Sequence, residues 1–163
     1  MRKLLIFVCM ACMVACSSID CPVENTVSTL YNICNSDGSA LTLTDTMTVT
    51  SKRKDGTDVD LLFNLGIDID HFTIPISYSH PEDVLIFTFS NVNNDSLHVV
   101  DTVWVKKDDI PHFESVDCSA SFFHRLTAVR CTHQYIDSIV INTPSVTYDQ
   151  TTVHFRLYPK VRN

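Results

Sequence analysis

Apolar and polar residues alternate along most of this sequence, and that alternation constrains the fold more than any other feature. In the segment 41–50, apolar residues occupy one phase and threonines occupy the other. Successive side chains of a β-strand point to opposite faces of the sheet. The segment is therefore predicted to be a strand with one buried face and one wet face.

Further runs of β-branched and aromatic residues follow the same pattern, and no long stretch after position 16 carries an apolar stripe of helical period. Residues tolerant of positive φ separate runs at Asp37-Gly38, Asp55-Gly56 and Asn93-Asn94-Asp95, which predicts hairpin connections. The sequence thus predicts an all-β fold, an antiparallel two-sheet β-sandwich of immunoglobulin-like or related Greek-key topology. About nine short strands are expected, at 27–34, 41–50, 59–65, 72–78, 84–89, 97–105, 122–131, 136–142 and 153–158.

The first sixteen residues have the layout of an export signal. Arg2 and Lys3 precede an apolar run, which ends in Met13-Val14-Ala15-Cys16. The apolar run covers residues 4–15. A helix of these residues would span about 18 Å, which is too short to cross a hydrocarbon core of roughly 30 Å, so we expect the segment to be cleaved. Small residues before a cysteine resemble the bacterial lipobox, whose cysteine is acylated. We expect a signal peptide at 1–15, lipidation of Cys16, a tether at 16–26 and one domain at 27–163. A plain secretory signal is the alternative.

The expected anchor also suggests a location. The chain has 12 basic and 19 acidic residues, and cleavage would remove Arg2 and Lys3, so the anchored domain would be distinctly acidic. Two or three acyl chains can hold such a protein on a bilayer despite its charge. Ser17, and not aspartate, follows Cys16, which in lipoproteins of the enterobacterial type implies onward transport. We expect the cell envelope, at the periplasmic face of the outer membrane.

Cys21, Cys34, Cys118 and Cys131 remain after lipidation of Cys16. An even number of cysteines in an exported domain predicts two disulfides. The first two are separated by the same spacing as the last two, so parallel neighbouring segments would close Cys21–Cys118 and Cys34–Cys131, the pairing we expect. Antiparallel segments would close Cys21–Cys131 and Cys34–Cys118. One bridge with two buried thiols is the third arrangement.

Several classes of site lack the residues that they require. The chain has only Gly38, Gly56 and Gly66, which are too far apart to form a phosphate-binding loop. The net charge is −7 and the basic residues are dispersed except at 52–54, which argues against nucleic acid. No G-x-S-x-G elbow is present, so a serine hydrolase is disfavoured. We expect no cofactor and no catalytic residue.

Histidines and aromatic residues offer two weaker candidates. No two of the seven histidines lie within eight positions of each other, and no metal site is predicted, although a hairpin could bring His124 and His133 near Cys131. A set of aromatic residues could line a ligand groove, but their places in apolar strands favour a core. The set comprises Phe87, Phe89, Trp104, Phe122 and Phe123.

A set of sequence features spans most of the chain. It comprises the lipobox, a cysteine five residues after it, and segments at 84–89, 95–99, 113–118, 135–141 and 153–158. The set resembles an uncharacterised lipoprotein family of Bacteroidota cell envelopes. The resemblance implies an all-β envelope lipoprotein with a disulfide at the positions of Cys21 and Cys118. This chain departs from the family at Ser119, where glycine is usual, and in carrying Cys34 and Cys131. No activity comes with the resemblance.

Four Asp-Ser/Thr-apolar triplets resemble the O-glycosylation signal of exported Bacteroidota proteins. Strand alternation by itself also favours such triplets. The candidate acceptors are Thr46, Ser96, Thr102 and Ser138.

These features together predict a lipid-anchored envelope protein that works as a non-catalytic binding or scaffolding module. Loops or a sheet edge would form its contact surface. The expected partners are the membrane, through the anchor, and another envelope protein. A small envelope hydrolase and a ligand-binding accessory of a nutrient-uptake system are the alternatives.

Overall fold

The computed structural model describes residues 27–52, 59–91, 94–118 and 120–160. The expectations for the signal peptide, Cys16, Cys21 and the Asp55-Gly56 turn concern residues outside these ranges. Within them, no helix is long or apolar enough to cross a bilayer. The strands are β1 (Ser28–Ile33), β2 (Thr46–Lys52), β3 (Val59–Gly66), β4 (His71–Pro75), β5 (Glu82–Asn91), β6 (Asn94–His112), β7 (Ser121–Cys131), β8 (Ile136–Ile141), β9 (Ser145–Val146) and β10 (Val153–Pro159).

The ten strands confirm the all-β prediction, and each predicted run overlaps one of them. The bounds differ most at β2, which begins at Thr46 and not at 41, and at β6, which extends well beyond 97–105. The additional strand, β9, has only two residues, which is too short to produce an alternating pattern. Its Ser145 and Val146 pair with the first half of β7.

The strands form two hydrogen-bonded sheets, and one of them is not purely antiparallel as expected. The smaller sheet has the order β4-β1-β10-β8, and the larger has the order β3-β2-β5-β6-β7-β9. β1 pairs with β10 in parallel and with β4 antiparallel, so the smaller sheet is mixed. Alternation predicts that a segment is a strand but contains no information about the direction of a partner distant in sequence.

The predicted turns have different outcomes. Asn91 and Asn94 pair across the expected β5–β6 hairpin. Gly38 has a φ of +85°, and its turn closes with the bridge between Cys34 and Ala40, but β1 and β2 then enter different sheets. The Asp37-Gly38 turn is therefore a local turn, and the expected β1–β2 hairpin is wrong.

One core joins the two sheets. Tyr31 of β1 stacks between Phe72 and Phe155 of the same sheet, at ring-centroid distances of 4.8 and 4.6 Å. It also meets Phe87 of the larger sheet at 6.4 Å. These rings are buried, and such aromatic pairs add to the burial of apolar area.

The domain has two ends, which differ in the loops that they carry. The chain enters the described domain at Val27, whose carbonyl accepts the Ile76 N–H at 3.1 Å. We call this the Val27 end, and it also holds the turn 76–81, the loop 142–152 and the described residues of the loop 113–120. The opposite end, at which the Lys160 N–H donates to the Tyr135 carbonyl at 2.9 Å, is called the Lys160 end.

Candidate functional site

A cleft of about 900 Å³ opens at the Val27 end, where β2 and β3 meet the turn 76–81. The turn is held by its own polar groups. Ser77 Oγ accepts the Ser79 N–H at 3.1 Å, and Asp83 Oδ2 accepts the Ser77 N–H at 3.3 Å. The cleft walls mix polar and apolar side chains, among them Ser51, Lys52, Asp60, Leu62, Ile76, Ser77, Ser79, His80, Glu82 and Val84.

A buried ion pair stands behind the wall of this cleft. Asp83 lines the cleft, and its Oδ1 lies 3.1 Å from Nζ of Lys107, whose side chain is fully buried. The ammonium also donates to the carbonyl oxygen of His80 at 2.7 Å. The backbone N–H of Lys107 donates to the carbonyl of Pro81 at 3.0 Å. A buried charge persists only when it is paired and hydrogen-bonded, so these contacts fix the turn 76–81 against β6.

Tyr31 lies next to this pair in the core. A small cavity of about 10 Å³ is lined by Thr29, Tyr31 and Asp83. Burial raises the pKa of the Tyr31 hydroxyl far above its ordinary value; the Thr29 hydrogen bond lowers it by less, and the negative charge of Asp83 raises it further. Tyr31 is therefore neutral at all physiological pH values.

Aromatic contacts attach the β6–β7 hairpin to neighbouring loops of the Val27 end. Tyr78 of the turn 76–81 stacks on Phe122 with ring centroids 5.3 Å apart. His112 stacks on Phe123 at 4.2 Å, and Tyr148 of the loop 142–152 meets Phe123 edge-on at 4.9 Å. These contacts hold the hairpin in a defined position relative to the cleft.

The loop 113–120 at the tip of this hairpin carries a disulfide. Cys118 is disulfide-bonded, while Cys34 and Cys131 are free thiols. The partner of Cys118 therefore lies outside the described residues. The loop also carries Phe113 and Val116, which are 66% and 99% exposed, the two highest values among the large apolar side chains of the described ranges.

The expected Cys34–Cys131 bridge is not formed. It required the segments before these cysteines to run side by side, whereas β1 pairs with β4 and β10, and β7 pairs with β6 and β9. Both thiols are buried and free. The other expected bridge, Cys21–Cys118, includes a residue outside the described ranges.

Cys131 and His133 are neighbours, but the ring nitrogen nearer to the thiol is engaged elsewhere, and Nε2 lies 3.9 Å from Cys131 Sγ. Cys131 Sγ lies 3.4 Å from His133 Nδ1, and the same Nδ1 lies 2.7 Å from the carbonyl oxygen of Asp137. A carbonyl only accepts, so Nδ1 carries the hydrogen and cannot take the thiol proton. Burial raises the pKa of Cys131, which keeps the thiol protonated.

At the Lys160 end, a buried carboxylate organises the turn between β7 and β8. Asp101 accepts hydrogen bonds from the Thr132 hydroxyl and from the backbone N–H groups of Gln134, Tyr135 and Ile136, the last three at 2.7–2.8 Å. Burial alone would raise the pKa of Asp101, but these donors lower it below its ordinary value. Both oxygens of the Asp101 carboxylate accept hydrogen bonds within the domain, so they are not available to a ligand.

A second cleft, of about 920 Å³, lies at the same end and includes Asp45 and Tyr135 in its lining. Asp45 Oδ2 accepts the Tyr135 hydroxyl at 2.8 Å, and Asp45 Oδ1 accepts the Asn91 side-chain N–H at 2.8 Å. These bonds join the segment before β2, the end of β5 and the turn between β7 and β8, so we assign this carboxylate a structural role.

Two histidines are buried, and burial lowers the pKa of both. His124 Nδ1 lies 2.7 Å from Asp109 Oδ1, which raises its pKa by less than burial lowers it. His154 Nδ1 accepts the Leu30 N–H at 3.0 Å, where the β1–β10 register shifts. Accepting at Nδ1 requires a neutral ring protonated at Nε2, consistent with the lowered pKa. Both imidazoles therefore support the fold.

The histidines do not assemble as a metal site would require. His133 lies beside Cys131, but His124 pairs with Asp109 farther along β7. Among the described residues, no group of three or more His, Cys, Asp or Glu side chains could hold a metal ion.

The aromatic residues suggested as a groove do not form one. Phe87 and Phe89 are fully buried, which confirms the core interpretation for them. Trp104 lies under the guanidinium of Arg130, whose Cζ is 3.9 Å from the ring centroid. Phe122 contacts Tyr78 at the Val27 end, so these rings serve different parts of the domain.

The candidate glycosylation acceptors differ in accessibility. Thr46 is only 7% exposed, and a sugar on its hydroxyl would not fit in the folded domain. Thr102 and Ser138 are half-buried within β6 and β8. The Ser96 side chain lies outside the part of the chain that the structure describes. The Asp45-Thr46 triplet is therefore a product of strand alternation and not a glycosylation site in the folded protein.

Sequence reasoning missed Asp83, Asp101 and Lys107. A signal for two of them existed in the alternation, because Asp101 and Lys107 share the phase of Val103 and Val105 on β6 and are buried like them. A charged residue in an apolar phase predicts a buried charge that needs partners. The identity of those partners required the fold.

Comparison with known proteins adds one finding. Residues 46–159, more than two thirds of the chain, match the model of a family of unknown function, DUF6452. Neither the comparison with curated proteins nor that with solved structures finds a match.

Proposed function

Because the chain belongs to the family of unknown function DUF6452, which brings no activity with it, we propose a function from the residues of the chain itself. The protein is a lipoprotein of the Bacteroidota cell envelope, anchored through Cys16 at the periplasmic face of the outer membrane. It acts there as a non-catalytic binding or scaffolding module.

The disulfide at Cys118 is the observation that carries this proposal. Disulfides persist in exported proteins and are rare where thiols are kept reduced. Since Cys34 and Cys131 are free, the partner of Cys118 within this chain is one of the cysteines that precede residue 22, namely Cys9, Cys12, Cys16 and Cys21. Signal cleavage removes the first two and acylation occupies the third. The proposed bridge is therefore Cys21–Cys118, which ties the domain to its anchor.

The two sheets with their common aromatic core support a β-sandwich as the architecture of the module. In such a fold the loops at one end are available for contacts while the core keeps them in place. The cleft at the Val27 end has this character, because the Lys107–Asp83 pair and the Tyr78–Phe122 stack fix its wall. We assign the binding role to this cleft, where serine hydroxyls and apolar side chains lie together.

The anchor is tested by metabolic labelling with an alkyne palmitate in a bacterium that makes the full chain. The wild type is expected to be labelled and membrane-bound, and Cys16→Ser is expected to lose both properties. Cys12→Ser is the matched control, because its cysteine lies in the segment that is cleaved. Equal labelling of wild type and Cys16→Ser would refute the anchor.

The bridge is tested separately by peptide mapping without reduction. A peptide linking Cys21 to Cys118 is expected from the wild type, and Cys118 should become alkylatable in Cys21→Ala. A peptide that links Cys118 to a cysteine other than Cys21 would contradict the proposed bridge.

The binding role is tested by pull-down from solubilised outer membrane with Ser79→Trp, which fills the cleft from an exposed position. The control is Thr127→Trp, which adds the same ring at an exposed position of β7. Partners that are retained by the control and lost from Ser79→Trp support the proposal. Hydrolytic turnover by the purified protein, lost on changing one Asp or His, would favour the hydrolase alternative.

A further inference from the structure

The loop 113–120 exposes apolar surface that the fold does not use. Phe113 is 66% exposed and Val116 is 99% exposed, while Ile110, just before the loop, is 47% exposed. Single exposed apolar residues are ordinary, but a group of them at the tip of one hairpin marks a contact with a membrane or with another molecule.

The position of this loop indicates what it contacts. Val27, where the chain enters the described domain, bonds to Ile76 at the same end. Tyr78, two residues after Ile76, stacks on Phe122 at the base of the loop. The chain thus arrives from its N-terminal segment at the end of the domain that carries the loop.

The proposed Cys21–Cys118 disulfide would link the N-terminal segment covalently to this loop. Five positions separate Cys16 from Cys21, and an extended chain spans at most about 3.6 Å per residue. A bridge from Cys21 to Cys118 therefore holds the acylated residue within roughly 25 Å of Cys118, once the disulfide's own Cα–Cα distance of about 5.5 Å is added. Val116 is two residues from Cys118, so it too lies near the membrane.

We infer that the loop 113–120 inserts Phe113 and Val116 into the surface of the lipid bilayer, as a second contact beside the acyl chains. The inference rests on the proposed acylation of Cys16 and on the proposed Cys21–Cys118 bridge. A single lipid anchor leaves a domain free to tilt, whereas a second, apolar contact fixes which face of the domain points away from the bilayer.

The charges around the tip set the depth of this contact. Glu114 and Asp117 flank the apolar residues, and Glu114 Oε1 lies 2.9 Å from His112 Nε2 at the surface. Carboxylates remain at the level of the lipid headgroups, because transferring them into hydrocarbon is costly. The apolar side chains therefore enter only the boundary between headgroups and acyl chains.

The test uses the acylated full chain in vesicles of phosphatidylethanolamine and phosphatidylglycerol, with and without bromine on the acyl chains. Phe113→Trp and Val116→Trp report the loop, and Ile67→Trp, 46% exposed at the Lys160 end, is the control. The emission of native Trp104 is subtracted with the wild type. Brominated lipid is expected to quench both loop tryptophans, whose emission shifts to the blue, and to leave the control unchanged.

The outcomes separate the two proposals. Protein that is not acylated and does not float with vesicles refutes the proposed anchor. Acylated protein that floats, but whose loop tryptophans are quenched no more than the control, refutes the loop contact alone. A loop covered by a protein partner gives this second result. Melting curves equal to the wild type show that the exposed substitutions leave the fold intact.

Discussion

Lys107 Nζ lies 3.1 Å from Asp83 Oδ1, and the two partners differ in exposure, since the lysine side chain is fully buried and the aspartate side chain is 11% exposed. The ammonium cannot be hydrated and depends on Asp83 and the His80 carbonyl. The carboxylate has access to the cleft and also accepts the Ser77 N–H. Removing the aspartate should therefore lower the free energy of unfolding more than removing the lysine does.

Asp83→Asn is expected to lower the free energy of unfolding by about 3 kcal/mol, because it leaves a buried cation without its counter-charge. Lys107→Met should cost less, since the remaining carboxylate can be hydrated. The double variant should lose less than the sum of the two single losses. Urea unfolding of all four proteins measures this cycle.

Glu82 and Arg130 provide the control for this cycle. Their side chains also approach to 3.1 Å, but they are 37% and 58% exposed. Glu82→Gln is expected to cost less than about 1 kcal/mol. Additive losses at Asp83 and Lys107, or an equal loss at Glu82, would contradict a special role for the buried pair.

Asp101→Asn should destabilise the domain by about 2–4 kcal/mol, because an amide N–H₂ would replace one acceptor oxygen opposite backbone donors. The loss is expected to be accompanied by faster amide hydrogen exchange at Gln134, Tyr135 and Ile136, whose N–H groups bond to the carboxylate. Asp108→Asn, at an exposed position of the same strand, is the control. Unchanged exchange at the three amides would show that the turn does not depend on Asp101.

The strands of this domain follow from its sequence, but their neighbours do not. Alternation, together with runs of β-branched and aromatic residues, indicated the strands longer than two residues, because strands such as β1 and β4 bury one face. It could not show that β1 and β10 are parallel, since their pairing joins residues such as Tyr31 and Phe155, far apart in sequence. The equal cysteine spacings predicted a second bridge for the same reason, without knowledge of which strands are adjacent.

Adding a methyl group to either of the two glycines within the described ranges is expected to destabilise the domain, but for different reasons. At Gly66 a Cβ would lie 2.7 Å from Phe63 Cζ and 2.9 Å from Ile69 Cδ1, so Gly66→Ala must displace both side chains. The expected loss is about 1–3 kcal/mol. At Gly38 nothing lies within 4 Å, and only the φ of +85° opposes alanine, at a cost of about 1–2 kcal/mol.

Thermal melting distinguishes these two causes when each glycine is also replaced by asparagine. Asparagine tolerates positive φ, so Gly38→Asn should recover part of the loss seen in Gly38→Ala. Gly66→Asn should lower the melting temperature more than Gly66→Ala does, because the asparagine side chain is larger. Recovery at Gly66 would contradict the steric explanation.

His124 and His154 should make the domain less stable as the pH falls below neutrality. Burial lowers the pKa of both in the folded state, so the unfolded chain, with histidine pKa values of about 6.5, binds more protons. The stabilisation is complete above about pH 6.5 and is lost as the pH falls towards the folded pKa values. Asp101 and Asp149, whose pKa values are lowered, contribute a separate loss only below about pH 4.

Urea unfolding between about pH 8 and pH 5 tests the two histidines before the carboxylates titrate. The wild type should lose up to about 1.4 kcal/mol per pH unit for each proton taken up on unfolding. The double variant His124→Asn/His154→Gln should be less stable at pH 8 but have a flatter dependence, since its amides can accept or donate without titrating. The histidine explanation is wrong if the double variant keeps the wild-type slope.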